Sequence, residues 1–150
     1  MRLALGTDHR GYALKEHLAR YLREEGHEVL DMGTSGEEPA DYPLYAFSVG
    51  EKVAAGVADR GILICGTGIG MSIAANKVNG VRAALVYDED ALHLSREHND
   101  ANVLVLPGNW LSEEKSIAWV DQWLAGAFEG ERHLRRVGLI DDYDRSRENG

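Results

Sequence analysis

Short, uninterrupted apolar runs alternate with helical patterns along the whole chain, and this alternation restricts its fold more than any other feature. Residues 2–7, 28–32, 62–65, 81–87 and 103–106 read as strands. The run Ile62-Leu63-Ile64-Cys65 has no polar position, the pattern of a strand covered on both faces of a parallel sheet. Between the strands, Leu14, Leu18, Tyr21 and Leu22 recur at helical spacing within Tyr12 to Glu25, and Gly26 stands where that helix ends. Leu44 to Val57, Gly68 to Lys77 and Glu89–His98 supply further helices, the second of them entered from a Gly-rich loop. Ser112 caps a fifth, with Glu113 and Glu114 in its first turn where they suit the helix dipole. Residues 131–150 form a charged C-terminal helix and tail. Five strand–helix units predict an α/β fold. The expected form is a three-layer α/β/α sandwich around a five-stranded parallel sheet, flavodoxin- or Rossmann-like, in the order 2-1-3-4-5. With 150 residues and neither repeat nor linker, residues 1–150 read as one domain.

Charge narrows the partners. Sixteen Lys and Arg face 25 Asp and Glu, a net charge of −9. Such a balance argues against a nucleic acid or an anionic membrane as partner, while leaving room for a small anion at a locally basic site. The single cysteine excludes an intrachain disulfide. The apolar start Met1–Gly6 is too short for a secretory segment, and no stretch approaches the ~18 apolar residues of a membrane span. These features predict a reducing, cytoplasmic location.

In a sheet of the expected order, ligands bind beyond the carboxyl ends of the first and third strands. Two loops meet there: Gly6-Thr7-Asp8-His9-Arg10-Gly11 and Cys65-Gly66-Thr67-Gly68-Ile69-Gly70-Met71-Ser72. Closely spaced glycines ahead of a helix let backbone N–H groups approach an oxyanion; the plainer reading is a tight strand-to-helix turn. Met71 occupies the place of the third glycine of a dinucleotide fingerprint, although Asp88 would suit its ribose-binding acid. No Gly-Lys-Ser/Thr follows, against a nucleotide-triphosphatase loop. Cys65 is either an inert filler or a nucleophile or base whose pKa the helix N-terminus lowers. With no second cysteine and no paired His spacing, no metal site is expected.

His98-Asn99-Asp100 ends the fourth helix, on the return side of the sheet. Within one subunit His98 therefore lies at the edge opposite Cys65, and one site can use both only if His98 comes from a second subunit. The same holds for Arg132 and Arg136, four apart on one helical face. They are a solvated tail or a clamp for a phosphate. His17, His27, His93 and His133 read as structural or surface residues, and Trp119 and Trp123 as packing.

Several segments together resemble the type B ribose-5-phosphate isomerases, a family that also holds galactose-6-phosphate isomerase subunits. They are Gly6-x-Asp8-His9-x-Gly11, Asp41-Tyr42-Pro43, Ile64-Cys65-Gly66-Thr67-Gly68-Ile69-Gly70, Ala74-Ala75-Asn76-Lys77, Leu94-Ser95-Arg96-x-His98-Asn99-Asp100 and Arg132-His133-x-x-Arg136. The likeness runs from residue 1 to about 138. It implies a homodimer with shared sites, or a tetramer, that interconverts a phosphorylated aldose and ketose through a cis-enediolate with no metal or other cofactor. Ribose 5-phosphate is the expected substrate, with four- and six-carbon sugar phosphates as family alternatives; a nucleotide-binding regulatory module of the same fold is the other reading. By the resemblance, Cys65 is the base, His98 of a second subunit opens the sugar ring, and Asp8 and Thr67 assist. His9, Arg132 and Arg136 hold the phosphate. Tyr42, Gly66, Gly68, Ile69, Gly70, Ser72 and Asn99 complete the substrate contacts. Asn109, also a candidate contact, stands where many relatives carry an Arg. Relatives that lack the cysteine use a glutamate base; this chain has Cys65.

Overall fold

The computed structural model describes residues 1–148; the last two residues of the expected C-terminal tail lie outside them. Five parallel strands, β1 (Arg2–Thr7), β2 (Glu28–Asp31), β3 (Arg60–Cys65), β4 (Ala83–Leu85) and β5 (Val103–Pro107), form one sheet. Helices α1 (Tyr12–Glu24), α2 (Tyr42–Ala54), α3 (Ile69–Ala75), α4 (Glu89–Glu97) and α5 (Glu113–Ala125) follow them in turn, and α6 (Arg132–Glu148) closes the chain. The three-layer α/β/α architecture is the expected one. No described helix is long and apolar enough to cross a membrane.

The strand order is 2-1-3-5-4, not 2-1-3-4-5. Burial explains the exchange. Every residue of β5 is buried, whereas β4 has three residues, all half-buried. The longer, wholly apolar strand takes the central place beside β3, and the short one is left at the edge, where one side needs no partner. The route from β4 back to β5 then reverses direction. With right-handed crossovers, this carries α4 to the face that holds α1 and α5.

Strand alternation sorts the core into two halves. Leu3, Leu5, Ile62, Ile64, Leu104 and Leu106 point to one face, where they meet α1, Leu92 of α4, and Trp119 and Trp123 of α5. Ala4, Leu63, Cys65, Val103 and Val105 point to the other, against Val49 of α2 and Met71 of α3. Both tryptophans are thus core residues, as their spacing suggests. Cys65 is the last member of its stripe, at the carboxyl end of β3, where the stripe runs out into the loop.

One buried cation braces the floor of this end. Lys15 is 1% exposed, and its Nζ donates to both carboxylate oxygens of Asp31 at 2.7 Å and to the Thr34 carbonyl at 3.0 Å. Removing the Asp31 carboxylate leaves the buried ammonium only the exposed Glu16 carboxylate, at 3.0 Å, for a counter-charge, the costly direction for a buried pair. Asp31→Ala is expected to lose about 3 kcal/mol in urea unfolding, and Lys15→Met less, because the carboxylate it strands is nearer to water.

Candidate active site

The loops after β1 and β3 meet as expected. Asp8 and Arg10 from the first, Cys65, Gly66, Thr67, Ile69 and Gly70 from the second, Tyr42 at the start of α2 and Ile73 on α3 line a cleft of about 430 Å3. Local rules shape it. Asp8 caps the short turn His9–Gly11, its carboxylate accepting the Arg10 N–H at 3.0 Å. Gly68 has φ +79°, and a Cβ there would lie 2.4 Å from Leu85, so the turn into α3 takes only glycine. Gly70 lets the Tyr42 ring sit on the loop: a Cβ would come within 2.5 Å of it.

Cys65 is 5% exposed, and the Gly68 N–H points at its Sγ at 3.2 Å. Burial pushes the thiol pKa up; backbone N–H groups of Met71, Gly68 and Thr67 pull against this, and the Asp8 charge adds to the rise. The expectation that the helix N-terminus lowers this pKa is therefore corrected. The donors are in place, but desolvation outweighs them. Two loop amides are already engaged, Gly68 with the sulfur and Ile69 with Thr67 Oγ1 at 3.2 Å. Thr67 is held from the other side as well, its carbonyl accepting the Tyr87 hydroxyl. Ser72 lies on α3, outside the cleft lining, and its carbonyl accepts from Asn76 Nδ2 at 3.0 Å. His9 stands next to the cleft with Nδ1 accepting the Ala40 N–H at 3.2 Å; in the neutral ring the proton then sits on Nε2, free to donate. Asn109 follows β5, and its amide lies beside Gly66.

The other candidates stand apart. His98 is the C-cap of α4, and its ring stacks on His133 at 4.0 Å between centroids, 16° from parallel. Glu129 Oε2 lies 3.9 Å from His98 Nε2 and 3.8 Å from His133 Nε2. Burial, then the neighbouring His98 and Arg132, push the pKa of His133 down, so this ring stays neutral against its neighbour. His133, read from the sequence as a structural or surface residue, is buried and directly supports His98; only the Glu129–His133 spacing hints at a cluster. These three residues also bring together groups that can ligate a metal, which sequence spacing does not reveal. Asn99 lines a separate hollow beside α6, and Arg132 and Arg136 are exposed on that helix. None of His98, Asn99, Arg132 and Arg136 lines the Cys65 cleft of the same chain. Arg10, which sequence reasoning did not select, does.

Asp88 accepts the Ala91 N–H at 2.8 Å as the N-cap of α4. Its carboxylate is occupied as a helix cap, which removes support from the dinucleotide reading.

The chain matches the family model "Ribose/Galactose Isomerase" over residues 3–140. It is 47% identical to ribose-5-phosphate isomerase B of Escherichia coli over 139 residues, 93% of each chain. It is similar in structure to a ribose 5-phosphate isomerase of Thermotoga maritima, with a TM-score of 0.91 and 48% identity, covering 94% of this chain and 97% of that one. It also resembles ribose-5-phosphate isomerase B from Mycoplasma genitalium with bound ribulose-5-phosphate, at TM-score 0.91, 41% identity and 96% of each chain. With near-complete coverage in sequence and in structure, the chain belongs to the ribose/galactose isomerase family.

Proposed function

We propose that this protein is a sugar-phosphate aldose–ketose isomerase that interconverts ribose 5-phosphate and ribulose 5-phosphate. One observation carries the reading: a buried thiol, held by a backbone N–H, opens into a cleft shared with Asp8 and Thr67. The relative with bound ribulose-5-phosphate supports the substrate. In this reading the Cys65 thiolate takes the proton from C2 of the open-chain aldose, leaving a cis-enediolate whose negative charge at O1 rests on loop amides. The thiol then returns that proton to C1 while the C2 hydroxyl proton passes to O1, so that C2 becomes the carbonyl. A base placed beside fixed donors is what such a step requires.

The working unit is a homodimer with shared sites. His98, Arg132 and Arg136 are absent from this chain's own cleft, so a second subunit supplies the ring-opening acid and the phosphate clamp. Exposed apolar side chains support that pairing: Tyr42, Leu44, Ile69 and Ile73 around the cleft, and Leu134, Leu139, Ile140 and Tyr143 on α6. A base that must stay a free thiol fits a reducing, cytoplasmic compartment.

The test is proton NMR of ribose 5-phosphate with the protein, followed from about pH 7 to about 9. Ketose product is expected, with other aldose phosphates turned over less well. Because burial raises the Cys65 pKa, the thiolate fraction is small at neutrality and grows with pH, so kcat/KM rises over this window. A flat profile removes Cys65 as the base, and absence of ketose from any sugar phosphate removes the reading.

A further inference from the structure

Resting on that reading, the geometry points to Arg10 as a substrate-anion contact that this chain itself contributes to the cleft. Arg10 follows His9 in the turn after β1, and the Asp8 carboxylate fixes its backbone through the 3.0 Å N–H bond. The stem then crosses Gly66, the residue after the proposed base: Arg10 Cδ lies 3.3 Å from where a Cβ on Gly66 would stand. The Asn109 side chain borders the same spot, with Nδ2 at 3.0 Å, and brings no charge. Among the described residues lining the cleft, Arg10 is the one cation. Its guanidinium has no ion-pair or hydrogen-bond partner among the described residues, although the chain carries 25 Asp and Glu.

An exposed guanidinium held over a cleft and unpaired among the described residues of so acidic a chain suits a phosphate dianion, to which it offers two parallel N–H donors. The Arg132 and Arg136 pair must come from another subunit, whereas Arg10 acts in the same chain as Cys65. It therefore contributes to phosphate affinity from within the subunit that holds the base. The phosphate does not change during proton transfer, so such a contact acts on the ground state and the transition state alike, and its loss appears in KM rather than in kcat.

The test compares the parent with Arg10→Ala and Arg10→Met, the latter keeping the stem without the charge. Steady-state kinetics on ribose 5-phosphate are paired with titration of inorganic phosphate by calorimetry, which needs no turnover. Both variants are expected to raise KM about 10- to 100-fold, the usual range for losing a charged hydrogen bond, with kcat within about threefold. The phosphate dissociation constant should rise in parallel. Unchanged KM and phosphate affinity in Arg10→Met overturn the inference, whatever Arg10→Ala does, since packing of the stem alone would then explain any loss. The phosphate titration holds even for a parent that fails to isomerise the sugar, so failure of the proposed reaction and failure of the Arg10 contact are told apart.

Discussion

Cys65→Ala is expected to fold like the parent and to lose turnover by about a hundred- to ten-thousand-fold, the range for removing a positioned general base. Folding survives because little is removed. The side chain is small, and its hydrogen bond from the Gly68 N–H is worth on the order of 1 kcal/mol. On the proposed reading chemistry fails because the base is gone; Asp8 and Thr67 remain, held by the Arg10 and Ile69 N–H groups, as groups that assist it. Cys65→Ser sharpens the result. A hydroxyl still accepts from Gly68, but it does not ionise near neutral pH, so the serine variant should be almost as inactive as the alanine one. Circular dichroism melts and ketose formation on the same samples separate loss of fold from loss of chemistry. Full turnover by either variant would dismiss the thiol.

Mixing two dead subunits is expected to revive the enzyme. On the proposed reading Cys65→Ala lacks the base and His98→Asn the ring-opening acid, so a homodimer of either variant has two broken sites. In a mixed dimer with shared sites, one site takes Cys65 from the histidine variant and His98 from the cysteine variant, and is intact. Random exchange makes half of the dimers mixed, each with one working site of two, so about a quarter of the parental activity should return. Native mass spectrometry shows whether exchange has occurred. Exchange without recovery would discard the shared site. The physical basis is the helix direction: α4 runs back from the ligand edge, and its C-cap His98 is fixed against His133 and Glu129 rather than Cys65.

Much of the fold could be read locally. β1 spans the expected residues 2–7, and the Ser112 cap accepts the Lys115 N–H at 3.1 Å. Period and capping decide such features within a few residues of chain. Other elements have bounds that differ from their apolar pattern. The run 81–87 is a strand only over Ala83–Leu85, because Val81 packs with the α2 and α3 core and Tyr87 turns out to bond the Thr67 carbonyl. Helix α2 begins at Tyr42 rather than Leu44, with Pro43 in its first turn, a place where the missing N–H costs nothing.

The site divides along the same line. By itself the sequence determined the α/β class, the meeting of the loops after β1 and β3, and the chemical identity of the groups there, because each depends on short-range pattern and on strand direction alone. Only the tertiary structure decided the rest. It set β5 inside β4, since the strand that can be buried on both sides belongs in the middle. It made burial prevail over the helix N-terminus at Cys65, because desolvation depends on every atom packed around a sulfur. It stacked His133 on His98 across more than thirty residues of chain, and it laid Arg10 over Gly66 beside Asn109. Contacts between residues far apart in sequence leave no periodic trace, so packing alone reveals them.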